Sequence, residues 1–324
     1  NKSSNPSESE GFFIFICCLL NSMIVPRFLK PGDKIGIVAP GRKVSSQQMD
    51  PAIGTFSEWQ LDVALSPNIF GHDHSYLAAK DEGRLSDFQN MIDDPDISAI
   101  VCARGGYGTT RILDRLDFQR LLKNPKWIVG FSDITAVHLK LNALGIESIH
   151  ATMPIIFPQE GSLPSITSLL EILFGSTSSI SAPYNANNKN GSATGQVIGG
   201  NLSLIVDSLS TSGEADFADK ILVVEEIDEY LYKVDRMFTH LQRAGKLSGL
   251  RGLAVGYFSD MKDTSPGFGE TVEEIILDKV SRYNYPVAFN LPIGHENPNL
   301  AWRSGSVMTL TVNRNGSSLA PSVA

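Results

Sequence analysis

The chain is 324 residues long, more than one domain usually holds, so two domains are expected. With 42% hydrophobic and 19% charged residues it has the composition of an ordinary globular protein. A net charge of −8 with no run of Lys and Arg excludes a nucleic-acid surface, and three cysteines exclude a disulfide framework and fit a reducing compartment.

Residues 1–22 differ from the rest. A polar, Ser-rich stretch precedes the apolar burst Gly11 to Leu20, which is too short to span a bilayer. A secretory signal would carry a basic lead and a small-residue cleavage site, and neither stands here. Residues 1–22 are read as an extension or weak signal outside the fold, with no stable membrane association.

From Val25 the pattern is regular. Asp33 to Pro40 is a β-rich run ending in a Pro-Gly turn, which suits a first central strand. Helical stretches are expected around Leu85 to Ile92 and Thr110 to Leu122, and a second buried strand at Ala99 to Ala103, where Cys102 reads as an inert buried thiol. A third strand, Trp127 to Phe131, runs into a helix over Asp133 to Leu144. Strands alternating with helices predict a parallel, doubly wound α/β sheet over 23–158, with ligands at the carboxyl ends of its strands. Residues 159–192 carry one amphipathic helix and then a Ser-, Asn- and Gly-rich linker, Ala182 to Ser192. Residues 193–324 read as a second, mixed domain. Its strands are expected at 193–198, 220–224, 252–257, 286–290 and 307–312, and its helices at 202–209, 234–244 and 271–283.

Three constellations carry chemistry. In Gly130-Phe-Ser132-Asp133, a serine stands where a strand turns into a helix. Its hydroxyl would be exposed there, with helix amides aimed at a developing oxyanion. The second glycine of the familiar hydrolase elbow is missing, and a Ser-Asp helix cap explains the same residues. Arg104-Gly105-Gly106-Tyr107-Gly108 also follows a buried strand. Its glycines admit a close ligand, without the Lys-Ser/Thr of a phosphate loop or the dinucleotide spacing, so an oxyanion or substrate loop competes with a plain turn. Last, Glu225-Glu226 and Gly294-His295 each end a strand and supply the acid and base that a serine nucleophile requires. Solvated strand ends account for the same carboxylates. His72-Asp73-His74 lacks a Glu or Cys partner at ligand spacing and reads as a polar loop, so no metal is expected.

Taken together, the motifs resemble one family, the L,D-carboxypeptidases of murein tetrapeptides and the related microcin-immunity hydrolases. The resemblance runs through Leu29 to Pro40, Cys102 to Gly108, Asn124 to Thr135, His150, Gly199 to Leu202, Glu225 to Arg236 and Pro292 to His295, about 23 to 312 in all. It implies a flavodoxin-like N-terminal domain and a swivelling, β-rich C-terminal domain with the site between them. It also implies a catalytic set of Ser132, Glu225 and His295, with the Gly106 and Asp133 amides as oxyanion donors. Arg104 and Tyr107 belong to the substrate loop. The enzyme would be a cytoplasmic homodimer without cofactor, removing the terminal D-alanine from murein tetrapeptide in peptidoglycan recycling. The alternatives are a microcin-immunity type hydrolase of peptide or acyl-nucleotide conjugates, and a non-catalytic α/β binding protein. Glu226 stands where the family has Asp, Asp228 to Leu231 replace Gly-Glu-Pro-Pro, Ala151-Thr152 replace Gly-Pro, and Ala301 to Ser304 also depart. Strand alternation puts Glu225 and Glu226 on opposite sides, and Glu226 is expected to be a solvated neighbour.

Overall fold

The computed structural model describes residues 23–176 and 179–322; the expectation for residues 1–22 lies outside them. Two sheets organise the chain. The first part runs β1 (Lys34–Val38), α1 (Ser46–Glu58), β2 (Asp62–Leu65), α2 (Asp81–Asp93), β3 (Ile97–Cys102), α3 (Thr110–Leu113), α4 (Gln119–Lys123), β4 (Trp127–Gly130), a 3₁₀ turn over Ser132–Ile134, α5 (Thr135–Ala143), β5 (Ser148–His150) and α6 (Leu163–Leu173). The second runs β6 (Ile180–Ala182), β7 (Gly191–Asn201), α7 (Leu202–Asp207), β8 (Lys220–Ile227), α8 (Leu231–Arg243), β9 (Gly252–Ser259), α9 (Val272–Val280), β10 (Val287–Ala288), β11 (Trp302–Ser304), β12 (Val307–Asn313) and β13 (Gly316–Pro321).

The first sheet has the order β11-β5-β4-β3-β1-β2, parallel except for β11. Its central strands β3 and β4 are buried along their whole length because both faces are covered. Met49, Ala52 and Phe56 of α1 pack on one face together with Leu169, Ile172 and Leu173 of α6. Phe88 and Ile92 of α2 and Val137 and Leu141 of α5 cover the other. The sequence expectation of a parallel doubly wound sheet therefore holds, and the helix expected in the connecting segment belongs to this first core.

The second sheet, β10-β9-β8-β7-β12-β13-β6, is parallel from β10 to β7 and antiparallel beyond. Helices α7, α8 and α9 pack on one face through Ile205, Phe238 and Ile276. β11 leaves this part of the chain to pair with β5 on the edge of the first sheet, Trp302 opposite His150. The two halves thus share a sheet as well as an interface. Several expectations move. The stretch Thr110 to Leu122 forms two short helices, α3 and α4, and Gly191 and Ser192 already belong to β7, so the linker is shorter than expected. The strand expected at 286–290 pairs only over Val287 and Ala288.

Candidate active site

β4 ends at Gly130, and the chain turns through Ser132, whose φ of +61° lies in the left-handed region. A non-glycine residue pays strain there, and such outliers gather at functional sites. Gly130 is required for a local reason: a Cβ at that position would lie 2.8 Å from Cγ1 of Ile134, which folds back from the helical turn. The glycine absent from the usual elbow pattern is replaced, at that place, by packing of Ile134. His138 of α5 fixes the strand end from behind. Its Nε2–H donates to the Gly130 carbonyl at 2.8 Å, and its Nδ1 therefore accepts from Ser148 Oγ at 2.8 Å. Burial holds this imidazole neutral by lowering its pKa to about 4.

The Gly-rich loop after β3 lies directly against Ser132. A Cβ on Gly105 would stand 3.0 Å from Ser132 Cβ, 3.2 Å from its Oγ and 3.3 Å from the Asp133 amide nitrogen. Among the described residues, the Gly106 and Asp133 amides donate to no backbone acceptor. The Asp133 carboxylate is buried and anchors the far end of the loop, accepting from Thr109 N at 3.0 Å and Thr109 Oγ1 at 2.7 Å. Burial raises its pKa, with the Thr109 bonds opposing. Tyr107 is half exposed, 52%, while Arg104 lines a cavity beside the loop.

The acid and base come from the second sheet. Between β8 and β9 the register shifts around Glu225, giving β9 one extra residue at Gly256–Tyr257. That bulge receives the loop after β10: Leu291 N donates to Val255 O at 3.1 Å and Tyr257 N to Ile293 O at 2.8 Å. Gly294, with φ +129°, then turns the chain over Glu225; a Cβ there would stand 3.1 Å from Glu225 Cβ and from Oε2. His295 is delivered above the fully buried Glu225, its Nδ1 2.7 Å from Glu225 Oε2 and its Nε2 3.0 Å from Ser132 Oγ. The carboxylate can only accept, so Nδ1 carries the proton and Nε2 accepts from the serine hydroxyl. Burial pulls the His295 pKa down, but the charge and hydrogen bond of Glu225 outweigh it and the net direction is up. The Phe131 ring packs at 4.9 Å on the imidazole.

Glu226 corrects an expectation. It is buried rather than solvated, and it accepts from Asn201 Nδ2 at 2.7 Å, Ser203 N at 2.8 Å, Ser203 Oγ at 2.6 Å and Ile227 N at 2.9 Å. Desolvation raises its pKa against these donors. Asn201 also takes the Thr135 hydroxyl as acceptor for its own N–H at 3.0 Å, which ties the end of β7 to the helix behind Ser132. Sequence reading missed this bridge. Gly199-Gly200-Asn201 at the end of β7 was its visible signal, since a Cβ on Gly200 would stand 2.5 Å from Thr135 Oγ1.

His74 of the His72-Asp73-His74 loop accepts at Nδ1 from Tyr76 N at 3.0 Å and Leu77 N at 2.9 Å, a turn-forming role. Among the described residues no group of three His, Cys, Asp or Glu is arranged to hold a metal, and no helix is long and apolar enough to cross a membrane.

A serine held in a strained turn, hydrogen-bonded to an imidazole that is itself bonded to a buried carboxylate, is a constellation suited to nucleophilic acyl transfer. Comparison with known proteins gives the lineage. Residues 35–151 match the LD-carboxypeptidase N-terminal domain and residues 194–310 the LD-carboxypeptidase C-terminal domain, and the chain belongs to this family. It is 30% identical over 291 residues to the "probable murein peptide carboxypeptidase" of Bacillus subtilis, covering 85% of this chain and 88% of that one. To the murein tetrapeptide carboxypeptidase of Pseudomonas aeruginosa it is 28% identical, over 87% of this chain and 94% of the relative. The crystal structure of muramoyltetrapeptide carboxypeptidase from Oxalobacter formigenes superposes with a TM-score of 0.81 at 28% identity, over 89% of this chain and all of that one. The microcin C7 self-immunity protein MccF shares the fold, with a TM-score of 0.81 at 18% identity over 92% of this chain and 99% of that one.

Proposed function

We propose that the protein is a serine L,D-carboxypeptidase that removes the terminal D-alanine from murein tetrapeptide, as a step of cytoplasmic peptidoglycan recycling. The observation that carries this reading is the continuous row Ser132 Oγ, His295 Nε2, His295 Nδ1, Glu225 Oε2, with contacts of 3.0 and 2.7 Å. Membership of a carboxypeptidase family and relatives named as murein peptide carboxypeptidases support this substrate class. In this mechanism His295 takes the Ser132 proton as Oγ attacks the carbonyl before the terminal residue. The tetrahedral oxyanion is received by the Gly106 and Asp133 amides, for which the loop around Gly105 leaves room. Glu225 holds the imidazole in its tautomer and stabilises its charged form. His295 then protonates the departing amine, and water activated by the same imidazole releases the acyl group from Ser132.

The test is mass spectrometry of murein tetrapeptide incubated with the protein. Appearance of tripeptide and free D-alanine is expected. An unchanged tetrapeptide, with cleavage instead of an acyl-nucleotide conjugate, would replace this reading with the microcin-immunity type.

A further inference from the structure

Beside the Gly-rich loop lies a cavity of about 540 Å³ whose wall includes Arg42, Lys43, Ser46, Phe70, His72 and Arg104. It adjoins the loop that packs against Ser132. Arg104 directly precedes Gly105, whose missing side chain faces Ser132 Oγ, and a Cβ on Gly106 would stand 3.1 Å from Arg42 Cβ. The backbone closes the same junction, with Arg42 N donating to Gly105 O at 3.4 Å. Both arginines sit at the carboxyl ends of first-sheet strands, Arg42 just after β1 and Arg104 just after β3, where doubly wound sheets bind ligands.

The charge of this cavity is one-sided. Among the described residues, no carboxylate lies within ion-pair reach of Arg42, Lys43 or Arg104, although most other arginines of the chain have such a partner. The nearby acids are already engaged: Asp73 accepts from Lys80 N and Asp133 from Thr109. Arg42 instead lies over the Tyr76 ring, 5.1 Å from its centroid. Arg104 is lowered in pKa first by burial and then by the Arg42 charge. Two guanidinium groups lining one cavity repel each other, and a bound anion would offset that Coulomb cost.

We propose that the Arg42–Arg104 cavity is a subsite for a substrate carboxylate, so that the enzyme selects peptides by a negative charge close to the scissile bond. This rests on the acyl-transfer reading of Ser132. Two carboxylates could supply that charge: the terminal one of the departing D-residue, or one on the acyl portion of the peptide. The fork geometry of guanidinium suits either, and the terminal one would make the enzyme an exopeptidase by charge.

The experiment measures binding and turnover separately. Calorimetry on full-length Ser132→Ala uses murein tetrapeptide as the free acid, as its C-terminal carboxamide, and with its acyl-side carboxylates amidated. It is repeated with Arg42→Gln and Arg104→Gln added singly. One amidated form is expected to bind about 10- to 100-fold more weakly than the free acid, and that difference should shrink to within about threefold in either arginine variant. Which amide weakens binding identifies the carboxylate. Melting temperatures of the two variants, whose arginines are exposed or only partly buried, check that they fold. Equal binding of all three peptides, no binding of any, or a preference that survives both arginine changes would overturn the subsite. Turnover of the free acid by the unaltered protein reports on the acyl-transfer reading independently of these outcomes.

Discussion

The adjacent carboxylates Glu225 and Glu226 should fail in different ways when each is changed to Gln. Glu225 touches His295 at 2.7 Å, and its charge is a principal reason the imidazole is held above its ordinary pKa. A neutral amide removes that support and can present an NH₂ to Nδ1, which forces the wrong tautomer. By analogy with the Asp-to-Asn change in a Ser-His-Asp triad, kcat/KM should fall about 10⁴-fold. The fold should tolerate the change, since Glu225 takes a single protein hydrogen bond. Glu226 takes four, from Asn201, Ser203 twice and Ile227. Its amide would turn an NH₂ toward some of those donors and leave up to two of them unpaired, at about 1–3 kcal/mol each. Glu226→Gln should therefore lower the melting temperature by roughly 5 °C or more while costing catalysis far less than Glu225→Gln. The assay is kcat/KM on tetrapeptide together with thermal unfolding for both variants. A greater loss of kcat/KM in folded Glu226→Gln than in Glu225→Gln would refute the assignment of the acid by one residue.

Three further outcomes are expected. Because His295 must be neutral to accept the serine proton and its pKa is raised, the acid limb of the kcat/KM–pH profile should lie above about 6.5; a limb well below that value would contradict the Glu225 coupling. His138 is lowered to about 4 by burial, so the unfolded chain binds a proton first as pH falls, and its contribution to stability is present above about 6.5 and lost between 6.5 and 4. That amounts to about 3 kcal/mol, and a melting temperature flat across this window would show that the imidazole is not held neutral. Gly294→Ala would force φ +129° on alanine with its Cβ 3.1 Å from Glu225, so activity should drop at least about tenfold; wild-type kcat/KM would mean the loop carrying His295 yields without cost.

The parts of the fold legible in the sequence are those whose local chemistry decides them. β3 (ISAIVC) and β4 (WIVG) are apolar on both faces because helices cover both, and the run alone marks a buried strand. β5 (SIH) and β11 (WRS) are three residues each and gain their identity from pairing, β5 with β4 and with β11, the latter across more than 140 residues of chain. Helix α1 was hidden because Pro51 and Gly54 interrupt its pattern, although the Ser45–Gln48 capping box marks its start. For the site, the residues around Ser132 taken alone supported a helix cap as well as a nucleophile. The family resemblance singled out Ser132, Glu225 and His295, and the fold brings these three side chains into hydrogen-bond contact. Burial of Glu226 was not legible, since three of its four donors lie on Asn201 and Ser203, more than 20 residues away, and strand alternation gives only a facing direction.

The central claim is that Ser132 Oγ is the attacking atom, and the most direct measurement is kcat/KM of purified Ser132→Ala on murein tetrapeptide beside the unaltered protein. Removing the hydroxyl deletes the nucleophile and leaves the surrounding strand and helix packing in place, so the melting temperature should stay within a few degrees while turnover falls by more than about 10³-fold. A folded Ser132→Ala protein that keeps more than about a tenth of the activity would contradict the account, whatever the other variants do.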